Sequence, residues 1–272
     1  MTVDSWIHDQ TAALKSAGIA TARLDCLVLL EDVLNTNRTQ ILAHPEQKLT
    51  GVELGLLNKM VDKRALHIPL AYIRNKTEFY GREFYVNEHV LEPRPESESI
   101  IEILKVLSSA PAEIIDIGTG SGALAITAKL ELPTARVFAT DIDLKCLQVA
   151  ERNAKNLNAE IQFLCGNLLD PFKHVKLSHD VALLCNLPYV PDNFQINTAA
   201  THEPRHALFG GPDGLDLYRS LFDSPAFRTI KPAYVIAESL PPQHELLATI
   251  AHDHGYQLQT TEDFIQLYTP LA

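Results

Sequence analysis

Residues 114–122 read IIDIGTGSG, a short apolar run that leads into three glycines at alternate positions. Glycine tolerates the positive φ angles of a tight turn, and a helix that begins after such a turn offers free N–H groups to a ligand. Gly118, Gly120 and Ala123 also satisfy the looser dinucleotide pattern G-x-G-x-x-G/A. The stretch therefore predicts a ligand-binding turn between a strand and a helix, and it leaves the ligand open.

Four further apolar runs follow, with helical stretches between them, at residues 137–140, 161–165, 181–185 and 234–237. Strands that alternate with helices predict an α/β fold with a mostly parallel sheet and helices on both faces. Such a sheet binds ligands outside the carboxyl ends of its strands. The residues just after each run are therefore the candidate site.

Polar residues follow the second and third runs at the positions where an adenosyl group would lie. Asp141 can accept hydrogen bonds from both hydroxyls of a ribose. After the third run, Asn167 can bond the edge of an adenine ring and Leu168 can cover its face. These residues suit NAD and an adenosyl cofactor equally well.

The fourth run ends in Asn186-Leu187-Pro188-Tyr189, which separates these two cofactors. A dehydrogenase has no need of this pattern, whereas an enzyme that methylates a planar NH2 group does, because the nitrogen lone pair is delocalised. The Asn186 side-chain oxygen and the Leu187 carbonyl can accept the two N–H bonds and orient that nitrogen. Pro188 keeps Leu187 extended, and Tyr189 supplies a wall.

The N-terminal part has a different pattern. Residues 4–67 read as helices, and Thr50 with Glu53 forms a capping-box signature. Residues 70–92 combine aromatic and β-branched residues with turns, which predicts a hairpin, and a helix is expected over 97–107. We expect a helical substrate-recognition bundle at 1–68, a hairpin linker at 69–92 and a catalytic domain at 93–272.

The charge of the chain argues against a general phosphate-gripping nucleic-acid binder. The net charge is −11, and residues 91–272 carry 13 basic and 23 acidic side chains, a net charge of −10. Residues 59–82 instead carry a positive net charge, which predicts a solvated helix face with a turn or, alternatively, a docking patch for a partner. The basic residues of this stretch are Lys59, Lys63, Arg64, Arg74, Lys76 and Arg82.

Cysteine usage and the N-terminal sequence indicate a cytoplasmic protein. The four cysteines have no C-x-x-C or zinc-type spacing, so no metal is expected. The start MTVDSWIHDQ has no signal-peptide pattern, and no apolar stretch approaches the ~20 residues that cross a bilayer. We expect a monomer.

Motifs along nearly the whole chain resemble the HemK family of class I methyltransferases, the release-factor glutamine N5-methyltransferases. The matching segments are ARLD at 22–25, RTQILAHP at 38–45, PLAYI at 69–73, EFYG at 78–81, PRPESE at 93–98, EP at 203–204, AL at 207–208 and GGPDGL at 210–215.

The resemblance implies a doubly wound, mostly parallel seven-stranded sheet and the use of S-adenosylmethionine, with S-adenosylhomocysteine as product. It implies that Asn186, Leu187, Pro188 and Tyr189 receive the glutamine of a Gly-Gly-Gln loop in a peptide chain release factor. The expected cofactor-binding residues are Gly118, Thr119, Gly120, Ser121, Gly122, Asp141, Asn167, Leu168 and Asn186.

The chain departs from the family pattern in a few places. Leu187 replaces the first proline of N-P-P-Y, and N-L-P-Y is more usual in rRNA adenine dimethyltransferases. The carbonyl of residue 187 survives this change. Asn167 stands where Asp is common and Leu168 where an aromatic residue is frequent. Residues 263–268 lack the usual glycine and arginine of the last strands.

Two alternative functions remain open. One is an adenine N6-methyltransferase that acts on rRNA or DNA, because an adenine edge and a primary amide present the same N–H geometry to Asn186. The acidic charge favours the protein substrate and no stable nucleic-acid binding. The other is a non-catalytic interaction module that binds S-adenosylmethionine without turnover.

Overall fold

The computed structural model describes residues 1–178 and 180–271 and divides them into two compact units. The helical unit comprises Met1–Lys76 and Ile196–His202. The sheet unit comprises the described residues within Thr77–Gln195 and Glu203–Ala272. The chain therefore leaves the sheet unit after Gln195 and returns to it at Glu203. Within the described residues, no helix has the length and apolar character needed to span a membrane.

The helices of the helical unit pack around fully buried apolar side chains, among them Trp6, Leu14 and Leu57. The predicted capping box is confirmed, because the Glu53 N–H donates to Thr50 Oγ1 and the Thr50 N–H donates to Glu53 Oε2. The helices are α1 (Val3–Ser16), α2 (Ala22–Leu34), α3 (Arg38–Ala43), α4 (Gly51–Ala65) and α5 (Leu70–Arg74).

A buried ion pair joins α2 to α4. Arg64 Nε donates to Asp25 Oδ2 at 2.7 Å, and Arg64 Nη1 donates to the Ile68 carbonyl at 3.1 Å. The Asp25 side chain is only 5% exposed. The pairing with Arg64 therefore offsets part of the cost of burying the Asp25 carboxylate inside the unit.

Four of the six basic residues in 59–82 form ion pairs inside their own unit, so they neither form a solvated helix face nor supply free cations to a docking patch. Their partners are Asp25 for Arg64, Asp32 for Arg74 and Lys76, and Glu131 for Arg82. Lys59 and Lys63 alone of the six are exposed on α4.

The sheet unit contains a seven-stranded sheet in the order β5-β4-β3-β6-β7-β9-β8. The first five strands in this order are parallel, and β9 runs antiparallel between β7 and β8. The predicted α/β fold with a mostly parallel sheet is confirmed. The strands are β3 (Glu113–Ile117), β4 (Arg136–Asp141), β5 (Gln162–Cys165), β6 (Val181–Cys185), β7 (Tyr234–Glu238), β8 (Tyr256–Glu262) and β9 (Ile265–Pro270).

Helices pack against this sheet and bury its centre. Every residue of β3, β6 and β7 is buried, as expected for parallel strands with both faces covered. The helices are α6 (Glu98–Lys105), α7 (Ala123–Glu131), α8 (Leu144–Asn156), α9 (Arg205–Leu208), α10 (Asp216–Asp223), α11 (Pro225–Ile230) and α12 (His244–Asp253).

The predicted hairpin is shorter than the linker assigned to 69–92. It consists of β1 (Thr77–Phe79) and β2 (Arg82–Phe84), joined by Tyr80 and Gly81, both at positive φ. Residues 70–74 form α5 instead, because Pro69 is suited to the start of a helix and Asn75 ends it in the left-handed conformation.

The C-terminal segment forms its strands without the glycine and arginine usual in the family. Ile265 and Tyr268 of β9 are fully buried, and β9 pairs with neighbours on both sides. The burial of these side chains explains why the departures in residues 263–268 leave the sheet complete.

We predict that Arg64→Ala lowers the free energy of unfolding by about 3 kcal/mol, because it leaves the buried Asp25 carboxylate without a partner. Urea unfolding followed by circular dichroism measures this change. Lys63→Ala, an exposed neighbour on α4, is the control and should change stability by less than about 0.5 kcal/mol. Equal losses in the two variants would contradict the structural role of the pair.

Candidate functional site

The three glycines after β3 adopt conformations that side chains disfavour. Their φ angles are +73° at Gly118, +54° at Gly120 and +82° at Gly122. A Cβ at Gly122 would lie 3.1 Å from the Ala150 Cβ, so this glycine allows α7 and α8 to pack closely. A Cβ at Gly120 would meet no atom within 4 Å, so this residue borders open space.

Asp116 holds the glycine turn from inside the sheet. Its Oδ2 accepts hydrogen bonds from Thr119 Oγ1 at 2.6 Å and from the Ala125 N–H at 3.1 Å. Burial raises the pKa of its carboxyl group to about 7. We assigned Asp116 no role from the sequence, although a carboxylate inside a buried strand before a glycine turn is a usable signal.

The two carboxylates at the carboxyl end of β4, Asp141 and Asp143, have separate roles. Asp141 accepts the Gly120 N–H on Oδ2 and the Asp143 N–H on Oδ1, both at 2.9 Å. Burial raises the pKa of the Asp141 carboxyl. Asp143 caps α8 by accepting the Lys145 N–H at 2.8 Å. Asp141 is thus the carboxylate that borders the glycine turn.

A cavity of about 230 Å³ lies at the carboxyl ends of β3, β4, β5 and β6. Predicted site residues on its wall are Gly118, Gly120, Asp141, Asn167, Leu168, Asn186, Leu187 and Pro188. Unpredicted residues on its wall are His89, Leu91, Ile117, Thr140, Ile142, Cys146, Gly166, His206, Ala207 and Leu217.

A smaller cavity of about 60 Å³ shares Leu91, Gly118, Gly120 and Asn186 with the larger one. Its wall also includes the predicted residues Thr119 and Ser121, together with Phe79, Pro93, Ser97, Asp116, Ala123 and Leu124. The two cavities therefore form one cleft along the glycine turn. Gly122 and Tyr189 are the predicted residues that line neither cavity.

The two predicted adenine contacts differ in exposure. Asn167 is exposed, whereas Leu168 is half-buried at a φ of +48°. The Leu168 carbonyl accepts a hydrogen bond from Thr140 Oγ1 at 3.1 Å, which holds this residue beside the end of β4.

A chain of side-chain hydrogen bonds begins at Asn186. Its Nδ2 donates to Ser97 Oγ at 2.8 Å, and the Ser97 hydroxyl donates to Glu238 Oε2 at 2.6 Å. Tyr189 donates its hydroxyl proton to Glu238 Oε1 at 2.9 Å. Glu238 is 1% exposed, and burial raises the pKa values of both Glu238 and Tyr189.

The backbone after Leu187 is held by the loop at 210–215. A Cβ at Gly210 would lie 2.1 Å from the Pro188 carbonyl oxygen, and one at Gly214 would lie 2.0 Å from that of Tyr189. Gln243 Nε2 donates to the Tyr189 carbonyl at 2.7 Å. This segment therefore depends on glycine at both positions.

Within residues 185–189, the main-chain carbonyls of Cys185 and Tyr189 already accept hydrogen bonds, whereas two other acceptors do not. The Tyr218 hydroxyl shares its one proton between the Cys185 carbonyl at 2.8 Å and the Glu238 carbonyl at 2.6 Å, and Gln243 donates to the Tyr189 carbonyl. None of the described residues donates a hydrogen bond to Asn186 Oδ1 or to the Leu187 carbonyl. Both residues line the larger cavity.

Sequence reasoning missed Ser97, Glu238, Tyr218 and Gln243. Glu238 ends β7, so the rule that function follows each apolar run was sufficient to find it. Ser97 belongs to the PRPESE motif, which indicates the family but gives this side chain no role of its own. The sequence around Tyr218 and Gln243 does not reveal their bonds to the Cys185 and Tyr189 carbonyls, because these partners lie 33 and 54 residues away.

No group of three or more His, Cys, Asp or Glu side chains suited to a metal ion occurs in the part of the chain that the structure describes.

The sheet order and the cleft define the class: this is the class I methyltransferase fold. Solved structures with the same fold include a methyltransferase from Pyrococcus furiosus, with a TM-score of 0.50 and 20% identity, covering 71% of this chain and 91% of that one. Another is the hMettl16 catalytic domain in complex with the MAT2A 3'UTR hairpin 6, with a TM-score of 0.53 and 16% identity, covering 78% and 81%.

The chain belongs to the release factor glutamine methyltransferase family, which confirms the resemblance. The protein of that name from Moorella thermoacetica is 38% identical over 83% of this chain and 81% of its own length. The one from Koribacter versatilis is 34% identical over 91% of both chains. The PrmC N-terminal domain family matches residues 5–74, and the ribosomal protein L11 methyltransferase (PrmA) family matches residues 96–187.

We predict that Gly122→Ala and Gly120→Ala destabilise the protein unequally. Gly122→Ala combines overpacking against α8 with a positive φ and should cost about 3 kcal/mol. Gly120→Ala has room for its Cβ and should cost only about 1 to 2 kcal/mol of backbone strain. Urea unfolding of the two variants measures the difference, and a larger loss for Gly120→Ala would contradict the packing described here.

Proposed function

We propose that this protein transfers a methyl group from S-adenosylmethionine to the side-chain amide N5 of the glutamine in the Gly-Gly-Gln motif of peptide chain release factors. Family membership supports the reaction. The observation that carries the proposal for this chain is the pair of free acceptors, Asn186 Oδ1 and the Leu187 carbonyl, beside the glycine turn.

The residues of the cleft fit S-adenosylmethionine. Gly118 and Gly120 leave the wall of the cavity without side chains, and Gly120 borders open space. Asp141 supplies a buried carboxylate with lone pairs suited to ribose hydroxyls. The proposed binding set is Gly118, Thr119, Gly120, Ser121, Asp141, Asn167, Leu168 and Asn186, and Gly122 supports the turn from behind.

The chain orients a nucleophile that is weak in solution. When bound, S-adenosylmethionine supplies an electrophilic methyl group on a sulfonium. Asn186 Oδ1 and the Leu187 carbonyl accept the two N–H bonds of the substrate amide, so they fix the direction of its nitrogen. Once this nitrogen had gained the methyl group, one of its two N–H protons would be released to water, which would leave a neutral N-methyl amide. Positioning of this kind accelerates a reaction without a covalent intermediate or an acid–base residue.

The neighbouring residues keep the acceptor pair in place. Pro188 restricts Leu187 to the extended region. The Pro188 carbonyl lies against Gly210. Tyr189 lines neither cavity, but its hydroxyl donates to Glu238, and this bond anchors the segment that follows Pro188. We propose that the helical unit, whose residues 5–74 match the PrmC N-terminal domain family, recognises the release factor.

We predict that Asn186→Ala lowers the rate of methyl transfer to release-factor glutamine roughly a hundredfold, because one of the two acceptors is lost. Mass spectrometry of the Gly-Gly-Gln peptide after timed reactions measures the rate. Asn156→Ala, an exposed asparagine at the end of α8, is the matched control and should retain full activity.

Equal methylation by Asn186→Ala and wild type would refute the role of Asn186. Wild-type protein that methylates an adenine-containing RNA but not the release factor would support the adenine N6 alternative. Calorimetric binding of S-adenosylmethionine with no methylated product would support the non-catalytic alternative.

We predict that Asp141→Asn weakens S-adenosylmethionine binding roughly tenfold to a hundredfold, since a hydrogen bond to a charged acceptor exceeds one to a neutral amide. Isothermal titration calorimetry measures the affinity. Asp143→Asn is the control, because asparagine caps helices as well as aspartate does, and its affinity should stay near that of wild type. Equal affinities in the two variants would contradict the assignment of Asp141.

A further inference from the structure

We propose that Ser97 and Glu238 are positioning residues that fix which way the Asn186 carboxamide faces. The proposal rests on the proposed function, in which Asn186 Oδ1 must face the substrate amide. An asparagine side chain can rotate by half a turn and exchange its oxygen and nitrogen with little change of shape. Without a restraint, Asn186 could present its own NH2 group to the substrate NH2 group, and donor would meet donor.

The restraint is the direction of the hydrogen bonds. A carboxylate only accepts, so the Ser97 hydroxyl must donate its single proton to Glu238 Oε2, at 2.6 Å. The Ser97 oxygen then has only lone pairs left for Asn186, and it accepts Nδ2 at 2.8 Å. The nitrogen of Asn186 is thus held toward Ser97, and Oδ1 faces the other way.

Hydrogen bonds to both carboxylate oxygens and to the main-chain carbonyl fix the position of Glu238, so it gives the Ser97 hydroxyl a fixed acceptor. It ends the fully buried strand β7, and its other carboxylate oxygen accepts the Tyr189 hydroxyl at 2.9 Å. Its main-chain carbonyl accepts the Tyr218 hydroxyl at 2.6 Å. Ser97 and Tyr189 each donate their one hydroxyl proton to Glu238, so both of its carboxylate oxygens act as acceptors.

Ser97 has a fixed place between Glu238 and the cleft. It ends a 3₁₀ turn, Pro95–Ser97, in which its N–H donates to the Arg94 carbonyl at 3.1 Å. It is 2% exposed and lines the smaller cavity together with Asn186. Because the Ser97 hydroxyl is bonded to both Glu238 and Asn186, we place its effect on the reaction in the orientation of Asn186.

The test compares Ser97→Ala, which removes the hydroxyl, with Ser97→Thr, which keeps it. We expect Ser97→Ala to lower kcat roughly tenfold to a hundredfold, because the acceptor loses its orientation. The KM for the release factor and the affinity for S-adenosylmethionine should change far less than kcat, because the other residues of the proposed binding set keep their places. Ser97→Thr should restore most of the rate. Full activity of Ser97→Ala, or equal losses in both variants, would overturn the proposal.

Ser239→Ala provides the matched control. Ser239 follows Glu238 directly and is also fully buried, but its hydroxyl has no hydrogen-bond partner among the described residues. Its loss should leave kcat unchanged. A loss of kcat in Ser239→Ala equal to that in Ser97→Ala would mean that removal of any buried hydroxyl here disturbs the site, and it would overturn the proposal.

A second measurement needs neither substrate nor turnover. Nuclear magnetic resonance of ¹⁵N-labelled protein detects the Asn186 side-chain NH2 group, identified by its disappearance in Asn186→Ala. In wild type its protons should exchange slowly with solvent, and in Ser97→Ala they should exchange faster. Unchanged exchange would overturn the positioning role even if the protein methylates nothing, so failure of this proposal is distinct from failure of the proposed function.

Discussion

The cleft depends on buried carboxylates at the carboxyl ends of the parallel strands. A buried carboxylate is costly unless hydrogen bonds satisfy it, so each one requires donors at fixed places. Asp116 in β3 requires Thr119 and the start of α7. Asp141 at the end of β4 requires the Gly120 N–H, and Glu238 at the end of β7 requires Ser97 and Tyr189. These requirements arrange the glycine turn and the Asn186 segment along one edge of the sheet.

Much of the sheet unit followed from the sequence, because its signals are local. Parallel strands buried on both faces appear as continuous apolar runs, and the glycine turn marks the end of the first run. The short antiparallel strands at the C-terminus carry a weaker pattern. The hairpin is shorter than the segment predicted for it, since Tyr72, the one aromatic residue in 70–76, belongs to a short helix that ends before Asn75.

The predicted site residues come mostly together in the structure, and their roles toward cofactor and substrate stay predictions. What the sequence could not supply is the set of contacts between distant segments. Ser97 lies 89 residues from Asn186 and 141 from Glu238, and no periodicity links them. The basic stretch at 59–82 shows the same limit, because four of its six basic side chains form ion pairs with acidic residues that are distant in sequence.

The loop at 210–215 has a consequence for the depth of the acceptor pair. Gly210 and Gly214 bring one stretch of backbone directly against the carbonyls of Pro188 and Tyr189, with no room for even a methyl group. A larger residue there would have to displace the backbone of Pro188 and Tyr189, which adjoins the proposed acceptor at the Leu187 carbonyl. Two residues that line neither cavity thereby limit how far the neighbouring backbone can shift.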